Sequence, residues 1–551
     1  MPSAHVDTFA QDRLPPPEQW PQFVFDGPGL QFPPQLNCAT WLLDRHVAEG
    51  RGERPCILAP GLRWTYRELQ DRADRIAHVL VHDMGLVPGN RVLLRAPNTP
   101  MLAACWFAVI KAGGIAVATM PLLRAKELQA IVEISQASHA LCDARLADEL
   151  LQAQAACPTL KQLRLFNGED AAHPLAPDLA LEPAMARHGT PFANVDTAAD
   201  DTCLLGFTSG TTGVPKATMH FHRDVLAACR CWPEQVLRPT ADDVFIGSPP
   251  LAFTFGLGGL LLFPMHVGAQ AVLLEKAGPE QLLEGVRQFG ATVLFTAPTS
   301  YRKLASHPQS AAHSPAAALR GSTLRHCVSA GEALPAATRA LWREATGIEL
   351  IDGIGATEML HIFISADAAH ARPGATGQVV PGYRAEVVDE HDQPVPDGTV
   401  GQLRVIGPTG CRYLADARQT RYVRHGWNYT GDAYWRDADG YFHYQARTDD
   451  MIVSAGYNIA APEVETALLQ HPAVAECGVA GVPDDERGQI VKAWVVLHPG
   501  QTPDEAMTRA LQDFVKQTVA PYKYPRAIAF VADLPRTATG KLQRFQLRQL
   551  A

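Results

Sequence analysis

The chain has 551 residues, of which 47% are hydrophobic and 19% are charged. This composition excludes a disordered or fibrous protein, and the length predicts a large layered body with a second, smaller domain. The 48 Lys and Arg against 57 Asp and Glu give a formal charge of -9. That balance gives no reason to expect a nucleic acid or an anionic membrane surface as a partner.

The N-terminal residues lack the apolar core of an export signal. Two later apolar stretches, Met101–Leu123 and Gly256–Leu274, could be mistaken for membrane spans. The first contains Lys111, whose insertion into a bilayer would cost roughly 2.5–3.5 kcal/mol, and the second is interrupted at Pro264. Both stretches therefore predict buried helices and strands, and the sequence predicts a soluble, cytoplasmic protein.

Helix-like and strand-like segments alternate through most of the chain. Tyr66–Leu80 has a helical period, Arg91–Arg95 is a short apolar strand, Met101–Lys111 is helical and Ile115–Thr119 is again a strand. Such alternation predicts parallel sheets covered by helices. Residues 160–200 favour a loose connection, short strands from about residue 375 predict a small β subdomain, and a final unit begins near residue 449.

The 11 cysteines are scattered and do not form a disulfide framework. The nearest approach to a metal motif is Cys229 and Cys231, with His220 and His222 close by. A structural zinc site usually has a second ligand pair at similar spacing. The sequence has none here, which disfavours a metal site.

The most informative segment is the loop from Thr208 to Lys216, which follows an apolar strand. Glycines allow sharp turns, and hydroxyl side chains with exposed amides form a concave cradle for phosphate oxygens. Lys216 adds a mobile positive charge. The loop is not a Walker motif because Gly213 is followed by Val-Pro-Lys. The alternative is a hydroxyl-rich surface turn.

A second glycine-rich turn, Ile351–Glu358, also follows a strand. Glu358 is the right type of residue to hold Mg²⁺, although a Glu at a helix start is common without a metal. Ser329 comes before it, at a strand end whose small residues would let a flat ring approach the backbone. No Gly-x-Ser-x-Gly elbow occurs in the chain, so Ser329 is not predicted to be a hydrolase nucleophile.

Three later segments complete the set. Tyr429–Asp432 offers a carboxylate suited to the vicinal hydroxyls of a ribose, and Arg447–Asp450 opens the last unit. Pro535–Lys541 places a lysine behind a glycine in a short loop near the C-terminus. Such a lysine, taken alone, is normally a solvated charge.

These segments in this order resemble the adenylate-forming superfamily of acyl-CoA synthetases, carrier-loading adenylation domains and luciferases. The resemblance extends from about residue 40 to the end of the chain. Val328–Pro335, Asp352–Ser365 and Phe253–Gly258 are similar to the benzoate-CoA ligase branch, and within it to 2-aminobenzoate-CoA ligases.

The resemblance implies an α/β fold. A large N-terminal body of two helix-covered sheets with a small β subdomain would form an AMP-binding domain at 1–448. A small mobile C-terminal α/β domain would occupy 449–551.

The resemblance also implies an enzyme in which an aryl carboxylate attacks the α-phosphate of ATP, giving an acyl-adenylate and pyrophosphate. CoA thiolate then displaces AMP. ATP, Mg²⁺, coenzyme A and the aryl acid are the implied ligands. A homodimer is one possible oligomeric state.

The resemblance also implies site residues. Catalysis would involve Lys541, Thr357 and Lys216, and Glu358 would hold Mg²⁺. The ATP-binding residues would be Thr208, Ser209, Gly210, Thr211, Thr212, Gly213, Lys216, Gly331, Glu332, Ala333, Asp352, Gly353, Ile354, Thr357, Asp432 and Arg447. The aryl acid would contact Phe253, Phe255, Ala330, Gly355, His361 and Ile362. Asp449 would be the hinge, and Ser454, Ala455, Gly456 and Tyr457 would line the CoA tunnel.

His361 is the one polar residue implied for the aryl pocket, where we expect it to orient the ring through an ortho amino group. Several positions depart from the superfamily pattern: Ile354 replaces an aromatic residue, Ala217 replaces a glycine, and Pro462 stands one place late. None of these removes a group that the chemistry needs.

Three alternatives stay open. A freestanding adenylation enzyme would load the aryl acid onto a carrier protein, an inactive relative would bind nucleotide without chemistry, and a luciferase-type oxygenase would share the first half-reaction. The sequence does not settle which ring substituents are accepted or whether Lys541 is acylated as a switch.

Overall fold

The computed structural model describes residues 2–170, 176–209, 215–306, 311–447, 450–454, 457–484, 487–536 and 542–550. The strands of this part of the chain are β1 (Pro55–Ala59), β2 (Leu62–Thr65), β3 (Arg91–Arg95), β4 (Ile115–Thr119), β5 (His139–Asp143), β6 (Gln162–Phe166), β7 (Thr202–Ser209), β8 (Pro215–Phe221), β9 (Val244–Gly247), β10 (Gln270–Val272), β11 (Val293–Thr296), β12 (His326–Ala330), β13 (Leu350–Gly355), β14 (Ile362–Ser365), β15 (Gln378–Val379), β16 (Arg384–Val388), β17 (Gly401–Ile406), β18 (Val423–Arg424), β19 (Trp427–Arg436), β20 (Phe442–Arg447), β21 (Met451–Ser454), β22 (Tyr457–Ala460), β23 (Val474–Asp484), β24 (Gly488–Leu497) and β25 (Ala527–Phe530).

The α-helices of the same part are α1 (Tyr66–His78), α2 (Pro100–Lys111), α3 (Ala125–Ser135), α4 (Ala147–Ala156), α5 (Leu181–Met185), α6 (His222–Trp232), α7 (Thr254–Leu257), α8 (Phe263–Val267), α9 (Pro279–Phe289), α10 (Pro298–Ala305), α11 (Ala336–Thr346), α12 (Gln419–Tyr422), α13 (Ala461–Leu468), α14 (Glu505–Thr518) and α15 (Arg544–Gln549).

Two large sheets form the N-terminal body. In the described residues, one sheet has the strand order β15-β14-β13-β12-β11-β9-β10-β1-β2, and the other has the order β6-β5-β3-β4-β7-β8. Strands β10, β9, β11, β12 and β13 run parallel to one another, as do β5, β3, β4 and β7. The edges are antiparallel, and one of them is the hairpin β7–β8. Parallel strands place their carboxyl ends at one edge of a sheet, where ligand-binding crevices form.

Helix α2 lies between the two sheets, where it contacts β1 of one and both β3 and β4 of the other. Thr99 caps its first turn by accepting from the Leu102 amide, and Pro100 is pre-organised for the first helical position. Every residue from Leu102 to Lys111 is buried. A helix that is apolar on all sides is therefore a core helix here.

The last residue of α2, Lys111, is a buried charge with two partners. Its Nζ lies 2.5 Å from Asp44 Oδ1 and 3.0 Å from Asp74 Oδ1, and its side chain is 1% exposed. Burial raises the pKa of Asp74 even though Lys111 lowers it. Lys111, the charge that made a membrane span unfavourable, is thus paired with carboxylates inside the body. No helix of the described residues is long and apolar enough to cross a bilayer.

The later part of the chain forms smaller sheets. Strands β16, β17, β19 and β18 form one sheet, and β20 pairs with β19. The C-terminal unit contains the hairpin β21–β22 and the sheet β23-β24-β25, with α13 and α14 packed together. The predicted α/β class, with two helix-covered sheets, a small β subdomain and a C-terminal α/β unit, is confirmed. The division into 1–448 and 449–551 stays a prediction, because the boundary lies outside the described residues.

Two local predictions were wrong. Residues 160–200 contain β6, which pairs with β5 at the edge of a large sheet, rather than only a loose connection. Strand β15 belongs to the nine-stranded sheet and not to the small β subdomain. The partner strand, here β14, decides to which sheet a two-residue strand belongs. The local sequence does not reveal that partner.

Replacing Lys111 with Ala should leave Asp74 buried without a cation. Breaking one partner of a buried pair costs about 3–5 kcal/mol, so we expect a clearly lower melting temperature. A carboxyl whose pKa is raised in the folded state binds protons on folding, so the loss should be larger at pH 8 than at pH 5.5. Thermal unfolding at both pH values measures this, with the exposed Lys126→Ala as control. Equal melting temperatures for the two variants would contradict the assignment.

Candidate functional site

The paired strands β7 and β8 precede and follow the predicted phosphate loop in the chain. Thr208 of β7 pairs directly with Lys216 of β8, and Ser209 pairs with Pro215. The Thr208 hydroxyl is buried and has no hydrogen-bond partner among the described residues. A buried hydroxyl without a partner is costly, so its position is consistent with a ligand oxygen. Gly210, Thr211, Thr212 and Gly213 lie outside the described residues.

Lys216 is held by two oxygen atoms that come from distant parts of the chain. Its Nζ lies 2.9 Å from Glu358 Oε1 and also donates to the Tyr413 hydroxyl. The Tyr413 hydroxyl in turn donates to Glu358 Oε1 at 2.5 Å. Burial alone would raise the pKa of Glu358, but Lys216 and Tyr413 hold it below the usual range. Glu358 is therefore ionised at neutral pH.

Thr357 and Glu358 lie in a short 3-10 turn that follows β13, and this turn packs against the hairpin β7–β8. A Cβ atom on Gly206 would lie 2.7 Å from Thr357 Cγ2, so only glycine lets the turn come this close. His220 Nε2 donates to the Thr357 carbonyl at 2.7 Å. Burial lowers the pKa of His220 to about 4, so the ring is neutral and Nε2 carries its proton. The two predicted phosphate-binding segments therefore lie side by side.

Asp432 and Arg447 occupy paired positions on β19 and β20. Arg447 Nη1 lies 3.4 Å from Asp432 Oδ1 and donates to the Thr430 carbonyl at 3.3 Å. The intervening Gly431 has a φ of +77°, and a Cβ atom there would lie 3.0 Å from Arg447 Nη2. The glycine thus provides the space in which arginine and carboxylate meet.

The carboxyl ends of β12 and β13 lie next to each other, with Ala330 paired to Gly353 and Ser329 to Asp352. Gly331 turns the chain away from β12 with a φ of +92°, and Glu332 and Ala333 follow it. Burial raises the pKa of Asp352 to about 7. Its Oδ1 atom has no hydrogen-bond partner among the described residues. These strand ends offer exposed backbone and one buried carboxyl to a flat ligand.

A cluster of aromatic rings lies beside the β13–β14 turn and surrounds His361. Its ring centroid lies 4.5 Å from Phe263, 5.6 Å from Trp232 and 5.8 Å from Phe255. Burial lowers the pKa of His361 to about 3, so its ring is neutral. The Phe255 carbonyl raises that pKa slightly, yet neither ring nitrogen makes a hydrogen bond of good geometry to the described residues.

Glycines make room for His361 within this cluster. A Cβ atom on Gly258 would lie 2.4 Å from His361 Cδ2, and one on Gly355 would lie 2.8 Å from the His361 carbonyl carbon. Ile362 is buried against Gly353, and Phe253 precedes α7 in a half-buried position. Most of the predicted pocket residues are therefore near one another around His361.

The remaining predicted residues fall elsewhere. Ser454 and the backbone of Tyr457 belong to the hairpin β21–β22, and β21 packs against β24 of the C-terminal unit. Ala455, Gly456, Asp449 and Lys541 lie outside the described residues. Arg536, at the start of the lysine-bearing segment, lies 3.8 Å from Glu332 Oε1.

Sequence reasoning missed several groups of the site: Tyr413, His220, Trp232 and Phe263. Tyr413 is separated from Glu358 by 55 positions and from Lys216 by 197. No local motif marks it. In the sequence, the aromatic residues look like ordinary core residues. Only their contacts with His361 in the structure mark them as candidates for the site.

Comparison with known proteins agrees with this geometry. Residues 44–413 match the model of the AMP-binding enzyme family, and residues 463–541 match its C-terminal domain. The chain belongs to the AMP-binding enzyme family.

Among curated relatives of this AMP-binding enzyme, the benzoate–CoA ligase of Thauera aromatica is 35% identical over 95% of this chain and 97% of its own length. The solved structure of the anthranilate CoA ligase AuaEII in complex with anthranoyl-AMP has a TM-score of 0.86 and 34% identity, covering 94% of this chain and 98% of its own. A benzoate CoA ligase from Burkholderia xenovorans has a TM-score of 0.83 and 33% identity, covering 93% and 99%.

The predicted membership of the adenylate-forming superfamily and its benzoate-CoA ligase branch is confirmed, as is the prediction of an AMP-forming acid–CoA ligase. The site residues fit the family's ligands. The ionised Glu358 is the kind of hard oxygen ligand that Mg²⁺ prefers, and Mg²⁺ usually takes its other ligands from water and substrate phosphates. Asp432 provides the acceptor that ribose hydroxyls require.

Replacing Tyr413 with Phe should raise the Mg²⁺ concentration needed for half-maximal ATP–pyrophosphate exchange by about tenfold. The variant loses a hydrogen bond to a charged carboxylate, worth about 1.5–3 kcal/mol, and Glu358 is then less firmly held and more easily protonated. Tyr422→Phe is the matched control. Tyr422 packs on Tyr413 at 5.8 Å, but its buried hydroxyl has no partner among the described residues. An equal shift in both variants would refute the role of the Tyr413 hydroxyl.

Proposed function

We propose that this AMP-binding enzyme activates an aromatic carboxylic acid, 2-aminobenzoate or benzoate, to its acyl-adenylate and then to its CoA thioester. Pyrophosphate leaves in the first step and AMP in the second. The observation that carries the proposal is the cluster of aromatic rings around the neutral His361, which adjoins the turn that bears Thr357 and Glu358.

The aromatic cluster supports an aryl acid over other acids. It consists of flat rings around a neutral imidazole, so a planar apolar ring would pack against it better than a charged or hydrated group. Neither imidazole nitrogen makes a hydrogen bond of good geometry to the described residues. One of them could bind an ortho amino group, which favours 2-aminobenzoate.

The neighbouring groups suit the first half-reaction. Thr208, Lys216 and Thr357 would contact phosphate oxygens, and Asp432, positioned by Arg447, would accept hydrogen bonds from the ribose. An oxygen of the aryl carboxylate forms a bond to the α-phosphorus while the bond to pyrophosphate breaks. Lys216 stabilises the departing negative charge, because fixed charges that face a developing anion lower the barrier. Bound Mg²⁺ would supply further charge neutralisation at Glu358.

Lys541 would bridge the aryl carboxylate and the α-phosphate during adenylation. In support, Arg536 of the same segment lies 3.8 Å from Glu332 and 2.6 Å from Glu476. The beginning of the segment therefore lies beside the turn of Gly331, Glu332 and Ala333, which we propose to bind ATP. Asp449 as the hinge, and Ser454, Ala455, Gly456 and Tyr457 as tunnel residues, remain proposals from the family resemblance.

The test is a competition assay in which the purified chain receives ATP, Mg²⁺, CoA and equal amounts of benzoate, 2-aminobenzoate, 4-hydroxybenzoate, phenylacetate and hexanoate. Mass spectrometry identifies the thioester formed. We expect benzoyl- or aminobenzoyl-CoA to dominate. A dominant hexanoyl-CoA would contradict the aryl proposal, and AMP release with an aryl acid but no thioester would favour loading of a carrier protein.

Two variants separate the role of the imidazole from that of packing. His361→Phe should reduce kcat/KM for 2-aminobenzoate about tenfold more than for benzoate, since a lost hydrogen bond of about 1.4 kcal/mol corresponds to a factor of ten. Phe263→Leu, which changes the same wall without a polar group, should affect both acids alike. If the two variants gave the same ratio, the ortho contact would be wrong while the aryl proposal could still hold.

Lys541→Ala should lower the rate of adenylate formation by roughly 10²–10³-fold, the usual effect of removing one charge-stabilising group. It should spare thioester formation from supplied aryl-adenylate. Lys516→Ala, an exposed helix residue of the same unit, serves as control. Stopped-flow measurement of each half-reaction decides the matter, and equal loss of both half-reactions would refute separate conformations for the two steps.

A further inference from the structure

We propose that Cys38, Cys203 and His222 form a buried binding site for a soft, thiolate-preferring metal cation. Their ligand atoms all lie within 4.8 Å of one another, and all three residues have 0% exposure. The site is separate from the groups assigned above to nucleotide and aryl acid.

The three residues come from different elements. Cys38 belongs to the N-terminal segment, Cys203 lies in β7, and His222 begins α6 directly after β8. The ligands are thus contributed by positions far apart in the sequence, which is why the spacing of cysteines does not indicate a site. The sequence analysis considered Cys229 and Cys231 with His220 and His222, and of these only His222 is in the cluster.

The separation of the atoms suits one metal ion. Cys38 Sγ lies 3.3 Å from His222 Nδ1. Metal–sulfur bonds of about 2.3 Å and metal–nitrogen bonds of about 2.0–2.1 Å place ligand atoms about 3.5–3.8 Å apart at tetrahedral angles. Small side-chain rotations would therefore bring the three atoms to metal-binding distances without moving the backbone.

The imidazole presents the correct nitrogen. The Cys38 amide donates to His222 Nδ1 at 3.2 Å, so Nδ1 carries a lone pair on the side of the sulfur atoms. Nε2 then carries the proton, and it has no hydrogen-bond partner among the described residues. A cation at Nδ1 would replace the hydrogen bonds that Cys38 makes there.

Ligand chemistry defines the class of cation. Two thiols and an imidazole favour Zn²⁺ or Cu⁺ over hard ions such as Mg²⁺. Binding of Zn²⁺ would form two metal–sulfur bonds and release one proton from each thiol to solvent, which leaves the buried site neutral. Cu⁺ would need the loss of only one thiol proton for neutrality, and it accepts three ligands. Both ions are therefore tested.

The location gives the site a structural consequence. Cys203 lies on the strand that leads to Thr208, and His222 follows the strand that carries Lys216. A bound cation would tie the N-terminal segment to both strands of the phosphate-loop hairpin. We expect it to stabilise that hairpin rather than to take part in the reaction.

The experiment uses the full chain, produced without a histidine tag in medium supplemented with Zn²⁺ or, separately, with Cu⁺. Because the site is enclosed, the cation must be present during synthesis. Elemental mass spectrometry of the purified protein should give about one Zn or Cu per chain in one of the two arms. The Cys38→Ala/Cys203→Ala variant should lose that metal, whereas Cys229→Ala, a buried cysteine of α6 outside the cluster, should keep it.

The proposal would be overturned if the wild type and the double variant contained equal amounts of metal after production with zinc and after production with copper. It would also be overturned if the wild type contained no metal. Production with Co²⁺ decides the case in which the double variant does not fold. Thiolate ligation gives a sulfur-to-cobalt charge-transfer absorption in the wild type. A cobalt-loaded chain without that band, or a chain that takes up no cobalt, would contradict a cysteine site.

Discussion

The contact of Lys216 with Glu358 and Tyr413 is the constraint on which the rest of the site depends. It joins the hairpin of one large sheet to the turn after β13 of the other. A buried lysine and carboxylate tolerate this environment only as a pair with satisfied hydrogen bonds. Tyr413, which lies in the connection between β17 and β18 of the small β subdomain, completes those bonds and so couples three separate parts of the chain.

That network also balances charge inside the candidate site. Lys216 is paired with Glu358, and the Tyr413 hydroxyl is hydrogen-bonded to both groups. Gly206 and the neutral His220 fix Thr357 against the hairpin from the other side. The positions of Thr357, Lys216 and Glu358 are thus set by packing and hydrogen bonds.

The local motifs of this candidate site could be predicted from the sequence. Glycine-rich turns after apolar strands, such as those ending at Lys216 and Glu358, can be recognised without knowledge of the fold. The sequence could not show Tyr413, because its partners lie far away in the chain. Nor could it show β6, whose strand character comes from pairing with β5, or the Cys38 cluster, whose members meet only through the topology. Hydrogen-bond partners and sheet neighbours are properties of the folded chain.

The relation of the C-terminal unit to the body follows from another set of charges. Arg302 of α10 donates to the Val474 carbonyl at 3.2 Å and the Ala475 carbonyl at 3.1 Å, and Lys303 lies 3.4 Å from Glu476. Glu476 also binds Arg536, which faces Glu332. In the part of the chain that the structure describes, α13 of the C-terminal unit also packs against β20 of the body. Interfaces between domains that rely on polar contacts allow relative motion of the domains, which is what the proposed approach of the lysine-bearing segment to a nucleotide requires.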